Sequence, residues 1–177
     1  LTFTMQTDQD LLTLKTTILG DFQATNIIAS VLMAKEFNLN NQEITKAVQK
    51  LYPIPHRLER INAGGKIILD DGFNGNLDGM LGAIDLCKLH TSGKRIIVTP
   101  GLVESSADNN LKLINAIDEN FDIAIITGAL NLKIFEQHLR KTKVIIVPNK
   151  KELEGILAEY TGVGDIVLFA NDAPNFI

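Results

Sequence analysis

The chain has 177 residues, 45% hydrophobic and 21% charged, with a formal net charge of −4. That balance is ordinary for a soluble globular protein, and the acidic surplus argues against nucleic acid or an anionic membrane as partner. No apolar run approaches the ~20 residues a membrane-inserted helix needs, and a single cysteine, Cys87, excludes an internal disulfide and fits a reducing, cytoplasmic setting.

In chain order, the sequence opens directly in LTFTMQTD, with no initiator Met and no signal segment, which predicts a fragment of a longer chain. LTFTMQT and DLLTLKTTI read as a strand pair joined at Asp8-Gln9-Asp10. ATNIIASVLMAKEF places Ile27, Ile28, Val31 and Leu32 on one helical face. NLNNQEITKAVQKL repeats the spacing with Ile44, Val48 and Leu51. Two prolines in YPIPHR then forbid helix and predict an extended linker, with a domain boundary near residues 52–56.

From Lys66 the rhythm changes. KIILD, RIIVT, DIAIIT, KVIIVP and DIVLFA are short, nearly continuous apolar runs, separated by helical stretches at 77–91, 106–120, 130–140 and 150–161. Strands buried on both faces and alternating with helices imply βαβ units in a parallel sheet. The fold class is therefore α/β, a doubly wound, mostly parallel Rossmann-like sheet over 57–177, preceded by a strand pair and two helices. Cys87, in a helical pattern, reads as a small buried apolar residue.

Open parallel sheets bind ligands beyond the carboxyl ends of their strands. The first such end, DDGFNGNLDGM, is the densest in polar and glycine residues. A carboxylate there suits a ribose diol, and amides suit polar uncharged or zwitterionic groups. The plainer reading makes Asn76 a helix cap and the glycines turn residues. Arg57 in PHRLE has the forked donor geometry that oxyanions accept, or is a solvated edge residue. His56 reads as a surface residue. His90 and His138 have no partners at metal spacing and read as structural. There is no G-x-x-x-x-G-K-[ST] loop: Gly65-Lys66 and Gly93-Lys94 run into Ile67 and Arg95. No G-x-G-x-x-G, H-E-x-x-H or nucleophile elbow is present either.

PHRLE, ILDDGFNGNLDGM and VTPGLVE, in this order, resemble successive signatures of the Mur ligase family, and LGDFQATNIIASVLMA is similar to the motif that opens a helix of its central domain. Within the family, the loop is most similar to Asp-Ser-Tyr-Asn-Ala-Asn-Pro of the ligases that add D-Ala-D-Ala. The resemblance implies a three-domain enzyme, with 1–52 the end of the central ATP-binding domain and 57–177 the C-terminal ligase domain. It implies a cytoplasmic, monomeric enzyme that uses ATP and Mg2+ to activate the carboxylate of a UDP-MurNAc-tripeptide as an acyl phosphate. The amine of D-Ala-D-Ala then attacks. The phosphate loop and magnesium ligands would lie upstream of Leu1, so the chain alone would be inactive and would carry no catalytic residue.

By the same resemblance, Asn26 would contact adenine, Arg57 would reach the nucleotide, Asp71 would hold the ribose, and Asn74 and Asn76 would line the substrate cleft. Phe22 and Gln23 replace the usual His and Asn, with the Phe22 ring able to stack on a base. Gly72 and Phe73 replace Ser and Tyr. In DIVLFANDAPNFI the similarity ends at Leu168, with Ala170, Asn171 and Asp172 in place of Lys, Gly and Ser. Asn171 and Asn175 are the candidate substitutes for holding the dipeptide carboxylate. Two other readings stay open: a non-catalytic α/β nucleotide-binding module, and a folylpolyglutamate synthetase-like domain, whose loop would carry a histidine absent from this one.

Overall fold

The computed structural model describes residues 1–7, 11–73, 75–103 and 105–171. Two compact units divide the chain between Ile54 and Pro55.

In the first unit, β1 (Thr2–Gln6) and β2 (Leu11–Lys15) form an antiparallel pair with Thr2 opposite Lys15 and Gln6 opposite Leu11. Two helices follow, α1 (Phe22–Glu36) and α2 (Asn41–Gln49). Asn40 starts α2 with a full capping box: its side chain accepts from the Gln42 and Glu43 amides, while Glu43 reaches back to the Asn40 amide. Alternate strand residues (Met5, Leu12, Leu14) meet Ile27, Val31, Ile44 and Val48 in one small core. Leu32 does not join the buried face the spacing gave it. At 48% exposure it sits a further helical step round from Ile27 and Val31, and Met33 and Phe37 are more open still. Leu51 likewise lies past the end of α2 and is partly exposed.

The second unit is a six-stranded sheet in the order β3-β4-β8-β5-β6-β7. Its elements are β3 (Glu59–Ala63), β4 (Lys66–Asp71), α3 (Leu77–Cys87), β5 (Arg95–Thr99), α4 (Ala107–Asn120), β6 (Ile123–Thr127), α5 (Leu132–His138), β7 (Lys143–Val147), α6 (Leu153–Tyr160) and β8 (Ile166–Ala170). The five strands foreseen from their apolar runs are all parallel. Strand β3 was not foreseen. It is an edge strand with polar residues, antiparallel to β4, and it turns back through Gly64-Gly65, both at positive φ as a tight two-residue hairpin requires.

Helices α3, α4 and α5 carry the chain one way along the sheet and α6 returns it the other way. Right-handed crossovers therefore put α6 on the opposite face from the other three. Ile96, Val98, Ile123, Ile125 and Val167 pack against Leu153, Ile156, Leu157 and Tyr160 of α6. The residues of opposite parity, Ile97, Ala124, Ile126 and Leu168, are also fully buried. Both faces being covered is what makes these strands continuous apolar runs.

The amino-terminal edge is locked by Asp165, which accepts from Lys94 N–H at 2.8 Å and Gly162 N–H at 2.7 Å. The His90 ring donates to the Gly164 carbonyl at 2.7 Å. A Cβ on Gly93 would overlap that carbonyl, so two loops can touch only because residue 93 has no side chain. Gly155 in α6 faces open space. Gly93→Ala should therefore lower stability by about 2 kcal/mol or more through backbone overpacking, whereas Gly155→Ala should raise it by about 0.5–1 kcal/mol. Urea unfolding of the two variants checks both signs.

Candidate functional site

The carboxyl edge of the second unit's sheet gathers the ends of β4, β5, β6 and β8. At the end of β4, Asp70 and Asp71 are successive residues of one strand and so project to opposite sides of it. Asp70 accepts from Gly72 N–H through Oδ1 at 3.1 Å and from the His56 Nδ1–H through Oδ2 at 2.8 Å. Asp71 accepts from Leu58 N–H through Oδ1 at 3.0 Å, and its Oδ2 has no hydrogen-bond partner among the described residues. Partial burial pushes the Asp71 carboxyl above its usual range. The Leu58 amide and the Arg57 charge pull the other way, while Asp70 adds to the rise.

Pro55 to Leu58 forms a turn rather than the extended linker expected through residue 56. His56 (φ 62°) and Leu58 (φ 50°) are both left-handed, at a cost of about 1–3 kcal/mol each. The conformation persists because Leu58 is buried at 2% exposure and because Asp70, Asp71 and a Phe73 N–H to His56 C=O bond of 3.1 Å hold it. Between the two, Arg57 places its guanidinium 4.4 Å from the centroid of the Phe73 ring.

Asn76 caps α3, its Oδ1 accepting from Gly79 N–H at 2.9 Å. It also lines a polar cavity of about 390 Å³ with Asp78, Leu102, Ser105 and Asn109. Asn171 is buried at 2% exposure. Its amide N–H donates to Asp71 C=O at 3.3 Å, its carbonyl accepts from Gly75 N–H at 2.9 Å, and its side-chain Nδ2 donates to Gly72 C=O at 3.4 Å. It thus ties the loop after β4 to the end of β8. Asn171 also borders a crevice of about 160 Å³ with Val98, Pro100, Thr127, Lys150, Leu153 and Phe169. Asn74, Asn175, Asp172 and Glu104 lie outside the described residues.

The loop after β5 is held by two asparagines that the sequence reading did not single out. Asn110, buried on α4, accepts from Leu102 N–H and donates to Leu102 C=O, both at 2.9 Å. Asn131 donates to the Pro100 and Leu102 carbonyls at 2.9 and 3.0 Å. Asn110 carries a sequence signal in hindsight: it lies three, four and seven residues before Leu113, Ile114 and Ile117, on the same buried face. A polar residue on that stripe must have partners inside.

Phe22 and Asn26 lie in the first unit, at the start of α1. Phe22 is 42% exposed, and Asn26 donates from Nδ2 to Gln23 Oε1 at 2.9 Å on the rim of an apolar groove of about 330 Å³ between α1 and α2. Cys87 is fully buried, and burial drives its thiol up to about 12, so it stays protonated. Among the described residues no group of three or more His, Cys, Asp or Glu side chains could hold a metal ion, and no helix is long and apolar enough to cross a membrane.

No family model matches the chain. A UDP-N-acetylmuramoylalanine--D-glutamate ligase of Bdellovibrio bacteriovorus is 22% identical over 161 residues, covering 89% of this chain and 33% of its own. The ligase that adds D-alanyl-D-alanine in Acinetobacter baumannii superposes with a TM-score of 0.80 at 16% identity, covering 99% of this chain and 39% of its own. The MurF ligase of Thermotoga maritima, solved in complex with ADP, gives 0.75 at 18% with 99% and 40% covered. A pseudomurein peptide ligase of Methanothermus fervidus gives 0.78 at 19% with 99% and 38% covered. The chain thus spans a third of its curated relative's length and about two-fifths of these solved chains. At these identities the likeness is one of fold: nearly the whole chain is built as the corresponding part of those ligases, a mostly parallel α/β sheet preceded by a strand pair and two helices.

Proposed function

We propose that the chain is the C-terminal part of an ATP-dependent, amide-bond-forming ligase of the Mur type, adding D-Ala-D-Ala to a UDP-MurNAc-tripeptide in the cytoplasm, as a monomer. The observation that carries this reading is the Asp71 carboxylate at the carboxyl end of β4. One oxygen is committed to the backbone of the Arg57 turn and the other is unpaired among the described residues, as a ligand for a ribose hydroxyl needs to be. The nucleotide fits this chemistry: Asp71 would take the diol, and the Arg57 guanidinium would meet an oxyanion.

In this reading, residues 1–52 end the central ATP-binding domain, residues 57–177 form the ligase domain, and Phe22 and Asn26 approach the adenine. ATP supplies the phosphoryl group that makes the peptide carboxylate an electrophile, and the Mg2+ ligands belong to the preceding part of the enzyme. Asn76 keeps its amide N–H groups for the polar cavity while Oδ1 caps α3, and we assign it and Asn74 to the incoming dipeptide. Asn171 spends its groups on the protein, so we give it the task of holding the loop rather than the dipeptide carboxylate. The good superposition on a pseudomurein peptide ligase favours a second reading with the same ATP chemistry and a different acceptor. The folylpolyglutamate synthase of Thermotoga maritima superposes less well, at a TM-score of 0.64.

The longer protein, given ATP, Mg2+ and UDP-MurNAc-tripeptide, should release ADP only when D-Ala-D-Ala is present and should gain its mass in the product. Release driven instead by another amino acid or by a folate would transfer the assignment to the corresponding reading. In that enzyme Asp71→Ala should weaken ATP binding by about 1–3 kcal/mol; an unchanged KM for ATP in a folded variant would remove the ribose role. The 177-residue chain alone should bind ATP more weakly than ~1 mM, which calorimetry can test.

Asp71→Asn separates binding from stability. The folded-state pKa of Asp71 is raised, so its ionised form opposes folding once the pH has risen past that value, and the penalty vanishes below 3.8. Asparagine keeps the acceptor for Leu58 N–H without the charge. Its Tm should equal or exceed the parent's at pH 7, and the difference should shrink as the pH falls towards 4. A lower Tm at pH 7 would contradict the assigned cause of the shift.

A further inference from the structure

Arg57 and Phe73 are both exposed, and an exposed cation–π contact is worth too little to hold a long side chain by itself. The two come from segments fourteen and more residues apart, the turn after Pro55 and the loop after β4. Three bonds join them: Phe73 N–H to the His56 carbonyl, Leu58 N–H to Asp71, and the His56 ring to Asp70. The first two use backbone donors and would survive most changes at residue 56. Only the third depends on which side chain residue 56 carries.

Asp70 is placed to link the two partners. Its Oδ2 holds the residue before Arg57, and its Oδ1 holds Gly72 N–H, the residue before Phe73. One carboxylate therefore fixes the chain immediately ahead of both the guanidinium and the ring. His56, in addition, sits at a positive φ that glycine would adopt without cost. A histidine there accepts a backbone penalty, and what it gains is the bond to Asp70.

We propose that the His56–Asp70 pair is a positioning device that sets Arg57 on the Phe73 ring and, resting on the nucleotide reading above, presents that guanidinium preformed to an ATP oxyanion. His56 and Asp70 act through Arg57 and touch no ligand themselves.

The test uses the isotope-labelled 177-residue chain and the Arg57 side-chain NMR resonances, which the Phe73 ring current moves upfield of their random-coil positions. His56→Gly relieves the left-handed backbone while removing the tie. It should keep or raise Tm yet return the Arg57 resonances to random-coil positions. Asp70→Ala should do the same to the resonances, and His56→Asn, which tolerates positive φ and can donate to Asp70, should restore them. Upfield resonances that persist in a folded His56→Gly chain, or that are absent in the parent, would overturn the proposal. In the longer enzyme, His56→Gly should raise KM for ATP roughly three- to tenfold with kcat unchanged. A KM that stays put while the resonances collapse would overturn the nucleotide role of Arg57 and leave the positioning role standing.

Discussion

The sheet of the second unit depends on its last strand. β8, residues 166–170, lies between β4 and β5, so hydrogen bonds on both its edges bridge segments about 70 to 100 residues earlier in the chain. Without it the β3–β4 hairpin would have no connection to the strands β5, β6 and β7 in the sheet. The same placement makes the candidate site: Asn171, directly after β8, is the group that fastens the loop following β4. Sheet closure and site assembly are thus one event. Long-range parallel pairing of this kind forms slowly, because the loop-closure entropy is spent before the contacts are gained.

The architecture was legible wherever burial on both faces left an unbroken apolar run, as in Ile96–Val98 and Ile123–Ile126. It was illegible where a strand faces water. β3 reads Glu-Arg-Ile-Asn-Ala and pairs through its backbone alone, and backbone pairing leaves no mark in side-chain type. Leu32 misled the helical reading for a related reason: α1 has apolar residues around more than one side, so no single stripe defines its buried face.

Among the candidate site residues, Asp71 and Arg57 were chosen on chemistry alone, as a carboxylate at the end of β4 and a guanidinium in the turn before β3. The bonds that Asn171 makes to the loop after β4 could not be read from sequence. An asparagine in a loop and one that knits two backbones are indistinguishable until the partners are known, and its partners lie about a hundred residues away. His56 was read as a surface residue, and Asp70 was not singled out. Their pairing depends on a left-handed turn at 56 and 58, and neither a histidine nor a leucine there is enough to announce that conformation.

The buried state of Cys87 has a practical side. It is the chain's one cysteine, buried at the end of α3 with its thiol held protonated to about 12, so maleimide reagents meet no native thiolate at neutral pH. A cysteine introduced on the surface of each unit would then be the sole pair of reactive thiols. The parent chain is in effect a blank background for spin-label or fluorophore distance measurements between the unit ending at Ile54 and the one beginning at Pro55.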